Sequence, residues 1–186
     1  NNSKGDIYAL NKNNGNLLWL VTTKDTNENF QTFLLKNSKI VLNNDSLFLS
    51  NNMNNFFSID ANSGFINWKQ NINSDIKPIV IDNLILSISL DGYLFIIDKI
   101  SGNILRITDL FSNFSDRKRK KISPVGFIVG KDEIYLSLDN GKILIIDLAT
   151  GKSISTFKLG GEKISRPFVN KDFLYFVKNN EIVKLK

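Results

Sequence analysis

Residues Asp91–Leu105, DGYLFIIDKISGNIL, decide the fold of this chain. They predict a strand of consecutive apolar residues, a tight turn that ends in Gly102, and the beginning of a second strand. The pattern recurs, complete or truncated, at Gly5–Leu18 (GDIYALNKNNGNLL), Asn54–Ile66 (NNFFSIDANSGFI), Gly141–Ile154 (GKILIIDLATGKSI) and Asn180–Lys186 (NEIVKLK). An internal repeat therefore organises the whole chain.

The polar residue that ends each apolar strand fixes the period of the repeat. This anchor is Asn11, Asp60, Asp98, Asp147 and, in the truncated copy, Lys186, so successive anchors are 49, 38, 49 and 39 residues apart. A period of about 40–45 residues is typical of propeller blades with four short strands each. Apolar runs are short and bounded by Asn, Asp, Gly and Ser, which indicates strands rather than helices.

We predict an all-β chain, a β-propeller of four-stranded antiparallel blades, with about four blades and 17 strands in this sequence. The predicted blades are residues 1–24 (the end of one blade), 37–72, 76–110, 122–160 and 164–186 (an incomplete last blade). Apolar residues are consecutive in the third strand of a blade, as in Leu94–Ile97 and Ile143–Ile146. Such runs indicate that both faces of the strand are buried.

The turn after the third strand of each blade has one composition. An Asp or Asn leads, and a Gly follows four positions later. The Asp accepts hydrogen bonds from backbone N–H groups further along, and the Gly takes a positive φ. The residues assigned to these turns are Asn11, Gly15, Asp60, Gly64, Asp98, Gly102, Asp147 and Gly151. The three aspartates would be catalytic candidates in isolation, but we interpret them as turn-capping residues.

Composition excludes several kinds of chemistry. The sequence has no Cys and no His, so disulfides, thiolate chemistry, imidazole bases and His-ligated metals are excluded. Acidic residues do not cluster outside the turns. We therefore predict no catalytic residue, no cofactor and no metal site. The apolar runs are also shorter than the roughly 18 residues of a membrane-spanning helix, and we detect no signal segment.

Positive charge is concentrated in one run between two predicted blades. The net charge is +6, and Arg117, Lys118, Arg119, Lys120 and Lys121 contribute five of these charges. One interpretation is an anion-binding loop for nucleic acid, acidic lipid headgroups or an acidic protein. The other is a solvated loop that keeps the connection soluble. Aromatic residues placed regularly for base stacking are missing, so we expect no nucleic acid partner.

The unit Asp-x-x-[Ser/Thr/Asn]-Gly-x-x-x-Trp stands here as Asn11–Trp19 and Asp60–Trp68. It resembles the PQQ-like (quinoprotein-type) repeat of eight-bladed propellers. Within that superfamily the chain is most similar to the BamB family of outer-membrane assembly lipoproteins. The resemblance implies that Trp19 and Trp68 dock one blade onto the next. Because Arg106 and Ser155 hold the Trp position in later copies, we expect other apolar residues to form those interfaces.

The resemblance also implies a function. It implies a non-enzymatic, periplasmic scaffold, associated with the outer membrane, that binds the β-barrel assembly machinery and helps β-barrel proteins to insert. The chain would be the C-terminal half of a larger propeller, with its signal sequence and lipid anchor upstream. The expected docking loops are Thr22–Lys36 and Asp109–Ser123. The alternatives are a quinoprotein-like dehydrogenase, a small-ligand sensor, and an anion-binding propeller that uses residues 117–121.

Overall fold

The structure is a computed structural model that describes residues 5–23 and 35–185. In these residues, regular structure consists of 17 strands and one helix of four residues, α1 (Asp116–Arg119). The strands are β1 (Asp6–Leu10), β2 (Leu17–Thr22), β3 (Val41–Asn43), β4 (Ser46–Asn51), β5 (Asn55–Asp60), β6 (Ile66–Gln70), β7 (Ile79–Ile81), β8 (Leu84–Ile88), β9 (Tyr93–Asp98), β10 (Ile104–Asp109), β11 (Pro124–Val129), β12 (Glu133–Leu138), β13 (Lys142–Asp147), β14 (Ser153–Lys158), β15 (Phe168–Asn170), β16 (Phe173–Lys178) and β17 (Glu181–Leu185).

The strands form five sheets in which neighbours along the chain are neighbours in the sheet. The orders are β1-β2, β3-β4-β5-β6, β7-β8-β9-β10, β11-β12-β13-β14 and β15-β16-β17. This meander of short strands is the topology of propeller blades, so the predicted fold class is confirmed.

The chain divides into two compact units. The first unit is Asn1–Ser87 with Ile97–Ile104, and the second is Ile88–Ile96 with Leu105–Lys186. In the first unit, a core cluster joins Ile7 of β1 to residues of β4 and β5, and Trp19 packs against it. In the second unit, a cluster joins Ile143 of β13 to Ile164 and Phe176. Each unit thus has its own packed core.

The second and third strands of each four-stranded sheet are the most buried. Residues Ile143–Ile146 are all buried, as the consecutive apolar pattern predicts. In β9, Leu94 and Ile97 are buried, but Phe95 and Ile96 are only half-buried. The fourth strands β6, β10 and β14 alternate exposed and half-buried residues over most of their length. The core therefore lies at the centre of each sheet.

A residue with positive φ recurs six positions before each anchor residue. It lies in the turn that precedes the third strand of a blade, and Gly5 directly precedes β1. The five residues are Gly5, Asn54, Gly92, Gly141 and Asn180. L-residues adopt this conformation at a cost that Gly avoids and Asn tolerates best. Gly and Asn are therefore interchangeable at this position of the repeat, and part of the Asn content of the chain is explained by it.

Candidate functional site

Three aspartates cap the turns between the third and fourth strands. Asp60 Oδ1 accepts hydrogen bonds from the Ser63 N–H at 2.7 Å and from the Ser63 hydroxyl at 2.6 Å. Asp98 and Asp147 make the equivalent bonds to Ser101 and Thr150. These hydrogen bonds hold the pKa of each aspartate below its ordinary value. The hydrogen bonds of these carboxylates stabilise the turns, which is a structural role.

In the first copy Asn11 leads the same turn. Its Oδ1 accepts a hydrogen bond from the Asn13 N–H at 2.9 Å, and its backbone carbonyl accepts one from Gly15. An amide oxygen therefore substitutes for the carboxylate without a change of turn geometry. Among residues 5–23 and 35–185, no atom outside the two adjacent residues lies within 4 Å of the position that a Cβ of Gly15 would occupy.

The two tryptophans lie against the turns of the following sheet. The Trp19 ring is 2.8 Å from the position that a Cβ of Gly64 would occupy, and its Nε1–H donates to the Ala61 carbonyl at 3.0 Å. Trp68 lies over Gly102 in the same way, 2.5 Å from the Cβ position. Each Gly thus has two reasons to lack a side chain, its positive φ and the ring above it.

Trp68 is held from both sides. Its Nε1–H donates to the Lys99 carbonyl at 3.1 Å, and its ring stacks on Phe56 with centroids 5.8 Å apart. The Gln70 side-chain amide adds a bond to the Gly102 carbonyl at 2.7 Å. The sheet β3–β6 is therefore tied to the turn after β9 by packing and by two hydrogen bonds.

Arg106 occupies the Trp position in the next copy and makes the same kind of contact. Its guanidinium donates to the Leu148 carbonyl at 2.9 Å and to the Ala149 carbonyl. Leu148 follows Asp147 as Ala61 follows Asp60, so the accepting carbonyl is equivalent. Thr108, rather than a ring, lies 2.8 Å from the Cβ position of Gly151. At the Trp position itself, the N–H donor of an indole is thus replaced by that of a guanidinium.

The basic run is partly helical and does not act as one group. Helix α1 begins after Ser115, whose carbonyl accepts hydrogen bonds from Lys118 and Arg119. Arg119 forms an ion pair with Asp109 at 2.7 Å, and their side chains are 25% and 28% exposed. Asp109 raises the pKa of the Arg119 guanidinium further. Arg119 is therefore turned towards the sheet, whereas Arg117, Lys118, Lys120 and Lys121 are exposed.

The connection that carries the basic run is anchored at both ends. Phe111 is buried over Gly92, where a Cβ would come within 2.3 Å of its ring, and it meets Phe114 edge-on at 5.7 Å. At the other end, Ser123 and Asp139 exchange two hydrogen bonds. The predicted docking loop Asp109–Ser123 is thus a structured segment. Of the other predicted loop, Thr22–Lys36, residues 24–34 lie outside the described residues.

Clefts are present in the described parts of both units. One of about 600 Å³ lies beside α1 and includes Asp91, Tyr93, Arg119 and Lys120. An apolar cleft of about 510 Å³ lies between residues of β12–β14 and of β15–β17. A polar cleft of about 430 Å³ in the first unit is lined mainly by Asn and Ser and includes Lys99.

Two kinds of feature are absent from residues 5–23 and 35–185. They contain no group of three or more acidic, His or Cys residues that could hold a metal ion. No helix formed by these residues has the length and apolarity to cross a membrane.

Comparison with known families gives a match over more than half of the chain. The family model described as "Outer membrane protein assembly factor BamB" matches residues 1–108, which is more than half of the 186 residues. No curated protein matches the chain in sequence.

Solved structures share the fold. BamB from Moraxella catarrhalis has a TM-score of 0.70 and 15% sequence identity over 98% of this chain and 51% of that one. The computationally designed Ika8 protein has a TM-score of 0.69 and 11% identity, over 98% of this chain and 52% of that one. The β-propeller domain of Cps50 (Swd1) from Myceliophteria thermophila has a TM-score of 0.69 and 9% identity, over 95% of this chain and 57% of that one. The chain spans little more than half of each, and at these identities the likeness establishes the fold alone.

Proposed function

Since the chain belongs to the family of the outer membrane protein assembly factor BamB, we propose that it is a protein-interaction scaffold of the bacterial cell envelope. In this role it assists the assembly and insertion of outer-membrane β-barrel proteins by binding the assembly machinery. The family match over residues 1–108 carries this proposal. The family is generally non-enzymatic, and we propose the same for this chain.

The contacts of the described residues support a scaffold role. Capped turns and the Trp19, Trp68 and Arg106 contacts fix the sheets locally, so that the loops between strands are held in defined positions. Rigid elements with loops at their ends are the usual arrangement for binding surfaces. The aspartates that could suggest catalysis are committed to turns. The proposed location is the periplasm, with membrane attachment through a lipid anchor outside this chain.

We assign partner binding to the connection Asp109–Ser123. It is the longest connection that the structure describes in the second unit, and it presents four exposed cations. Because Phe111, Arg119 and Ser123 anchor it, a partner would not need to order it on binding, which lowers the entropic cost of association.

A loop replacement tests this assignment. Residues Ser112–Lys121 are replaced by a Gly-Ser linker of equal length, which keeps Phe111 over Gly92. Binding to a reconstituted β-barrel assembly machinery in liposomes is measured by pull-down. Insertion of a β-barrel protein is followed by its heat-modifiable electrophoretic mobility. We expect the unaltered chain to bind and the replaced chain to lose most of this binding.

The control changes another exposed turn of the same unit, with Lys131→Gly and Asp132→Ser between β11 and β12. Circular dichroism and thermal melting check that both variants fold. A chain that fails to bind the machinery at all would overturn the scaffold function. Binding that survives the loop replacement would move the docking surface elsewhere. Dye-linked alcohol oxidation after addition of pyrroloquinoline quinone and calcium would overturn the non-enzymatic assignment.

A further inference from the structure

We propose that the basic turn, defined as residues Asp116–Lys121, docks an acidic segment of a protein partner. Arg119 is the positioning residue of this surface, and Arg117, Lys118, Lys120 and Lys121 are the contact residues. The inference rests on the proposed function, because it specifies the chemistry of the partner that the connection Asp109–Ser123 would bind.

The first step is the separate role of Arg119. Its guanidinium pairs with Asp109 at 2.7 Å, donates to the Tyr93 hydroxyl at 3.4 Å, and lies 5.7 Å from the centre of the Tyr93 ring. Asp109 is also fixed, because its Oδ1 accepts a hydrogen bond from the Phe111 N–H at 2.9 Å. Arg119 therefore attaches the turn to β9 and β10 and has little capacity left for a partner.

The second step is the direction of the other four cations. A helix advances by about 100° per residue. With Arg119 directed at the sheet, Lys118 lies on one flank of α1 and Arg117 lies on the side opposite Arg119, whereas Lys120 and Lys121 follow the helix. All four are exposed. Among the residues the structure describes, none of the four has an ion-pair partner. With Arg119 attached to the sheet, the other four cations of the turn remain exposed to solvent.

The third step is charge. Five cations and the carboxylate of Asp116 give the turn a net charge of +4, and the Asp109 carboxylate offsets one more of these charges. Like charges this close repel one another, and a partner that supplies carboxylates relieves the repulsion. Complementary charge of this kind steers association and selects the partner. The expected partner segment is therefore rich in Asp and Glu.

The observations favour a protein over a membrane or a nucleic acid. Membrane-surface binding gains from apolar side chains that enter the lipid, but Leu110, Phe111 and Ile122 are buried. Nucleic acid binding gains from exposed aromatic rings, but Phe111 and Phe114 pack on each other and Arg119 covers Tyr93. An acidic polypeptide needs neither feature.

The test uses the full chain and a fluorescein-labelled oligoglutamate peptide, with anisotropy as the readout at low and at physiological ionic strength. The variant carries Arg117→Gln, Lys118→Gln, Lys120→Gln and Lys121→Gln. The matched control carries the same loss of charge at exposed lysines elsewhere, Lys12→Gln, Lys39→Gln, Lys131→Gln and Lys152→Gln. We expect the Kd to rise about tenfold or more in the variant and less than about twofold in the control. Equal weakening in both would overturn the proposal.

Arg119 is tested against Arg117, since either Gln substitution removes one charge. Arg119→Gln should weaken binding more than Arg117→Gln and should increase amide hydrogen exchange at Lys118–Lys121, whereas Arg119→Lys should restore part of both. Identical effects of the Arg119→Gln and Arg117→Gln substitutions would refute the positioning role. The same titrations with phosphatidylglycerol vesicles and with a single-stranded oligonucleotide give the other outcomes. Tighter binding to either probe than to oligoglutamate, lost in the four-residue variant, would overturn the choice of a protein.

These results are independent of the scaffold function. If the loop replacement abolishes binding to the assembly machinery but the four-residue variant binds it normally, the scaffold function stands and the acidic partner is wrong. If the chain binds oligoglutamate through the basic turn but not the machinery, the anionic chemistry stands and the scaffold function is wrong.

Discussion

Trp68 and Arg106 occupy the same position of the repeat, and both bind the turn of the following sheet, but with different chemistry. Trp68 covers Gly102 with its ring and donates one hydrogen bond to the Lys99 carbonyl. Arg106 donates to two carbonyls, those of Leu148 and Ala149. Thr108, and not Arg106, packs against Gly151. One contact is mainly apolar and the other mainly polar.

The comparison shows which part of the contact the repeat requires. The common element is an N–H donor on a long, flat side chain that reaches the carbonyl next to the turn Asp. The apolar ring is an addition, and it constrains the facing Gly. A Trp contact should therefore depend on burial and shape, and the Arg contact on hydrogen bonding and charge.

The largest expected effect is that of Trp68→Ala. It removes a ring that stacks on Phe56 and packs on Gly102, and it leaves a cavity beside the core. We expect a loss of about 3 kcal/mol in the free energy of unfolding, measured by urea denaturation. Trp68→Phe separates the contribution of apolar burial from that of the hydrogen bond. Phe keeps much of the apolar contact but cannot donate to the Lys99 carbonyl, so we expect a loss of about 1 kcal/mol. Equal losses for both would mean that burial contributes nothing.

The second prediction concerns Gly102→Ala, with Gly15→Ala as its control. Both glycines have φ near +73°, but only Gly102 lies beneath a ring. Gly15→Ala should cost about 1 kcal/mol, the strain of a left-handed Ala. Gly102→Ala should cost about 1–2 kcal/mol more, because the new methyl group meets Trp68. In the Trp68→Ala background this excess should disappear, and an unchanged excess would contradict the contact.

Local sequence rules predicted the fold class, because short strands and tight turns depend on residues close in the chain. Asp60, Ser63 and Gly64, for example, form their turn among themselves. The role of Arg106 could not be predicted in this way. Its carbonyl partners are more than 40 residues away, and Trp and Arg share little except an N–H donor at the end of a flat side chain.

The basic run shows the same limit. The sequence indicates five equivalent cations, but the structure separates Arg119 from the rest because Asp109 ends β10 within its reach. Helix α1 was not predicted either, since four residues carry no periodic signal. An acid eight residues before the start of the basic run, and ten before Arg119, is a weak signal that could have suggested the pair.

The third prediction is that Arg106→Met costs about 1–2 kcal/mol in urea denaturation. Met keeps the length and apolar stem of Arg but cannot donate to the Leu148 and Ala149 carbonyls. Arg106→Lys retains one donor and should lose less. Arg106→Trp is the informative variant for the comparison, because Gly151 already lacks a side chain. A tryptophan that restores or exceeds the original stability would show that the two contacts are exchangeable.

The smallest expected effect is a difference in pH dependence between the two contacts. The hydrogen bonds of Thr150, and after them the charge of Arg106, keep the pKa of Asp147 below its ordinary value of 3.8, whereas Asp98 beside Trp68 has only the hydrogen bonds of its turn. A carboxyl whose pKa is lower in the folded state stabilises the fold above about pH 4, and this contribution is lost as the pH falls through the folded pKa.

Arg106→Met should therefore raise the pKa of Asp147 and leave that of Asp98 unchanged, as measured by carbon-13 NMR titration of the carboxyl groups. Part of the stability cost of Arg106→Met should vanish in acid, because protonated Asp147 no longer gains from the guanidinium charge. The cost of Trp68→Ala should be the same from neutral pH down to about pH 3, since an indole carries no charge at either. If the two costs follow the same pH profile, then the Arg contact is no more electrostatic than the Trp contact, and the distinction drawn between them fails.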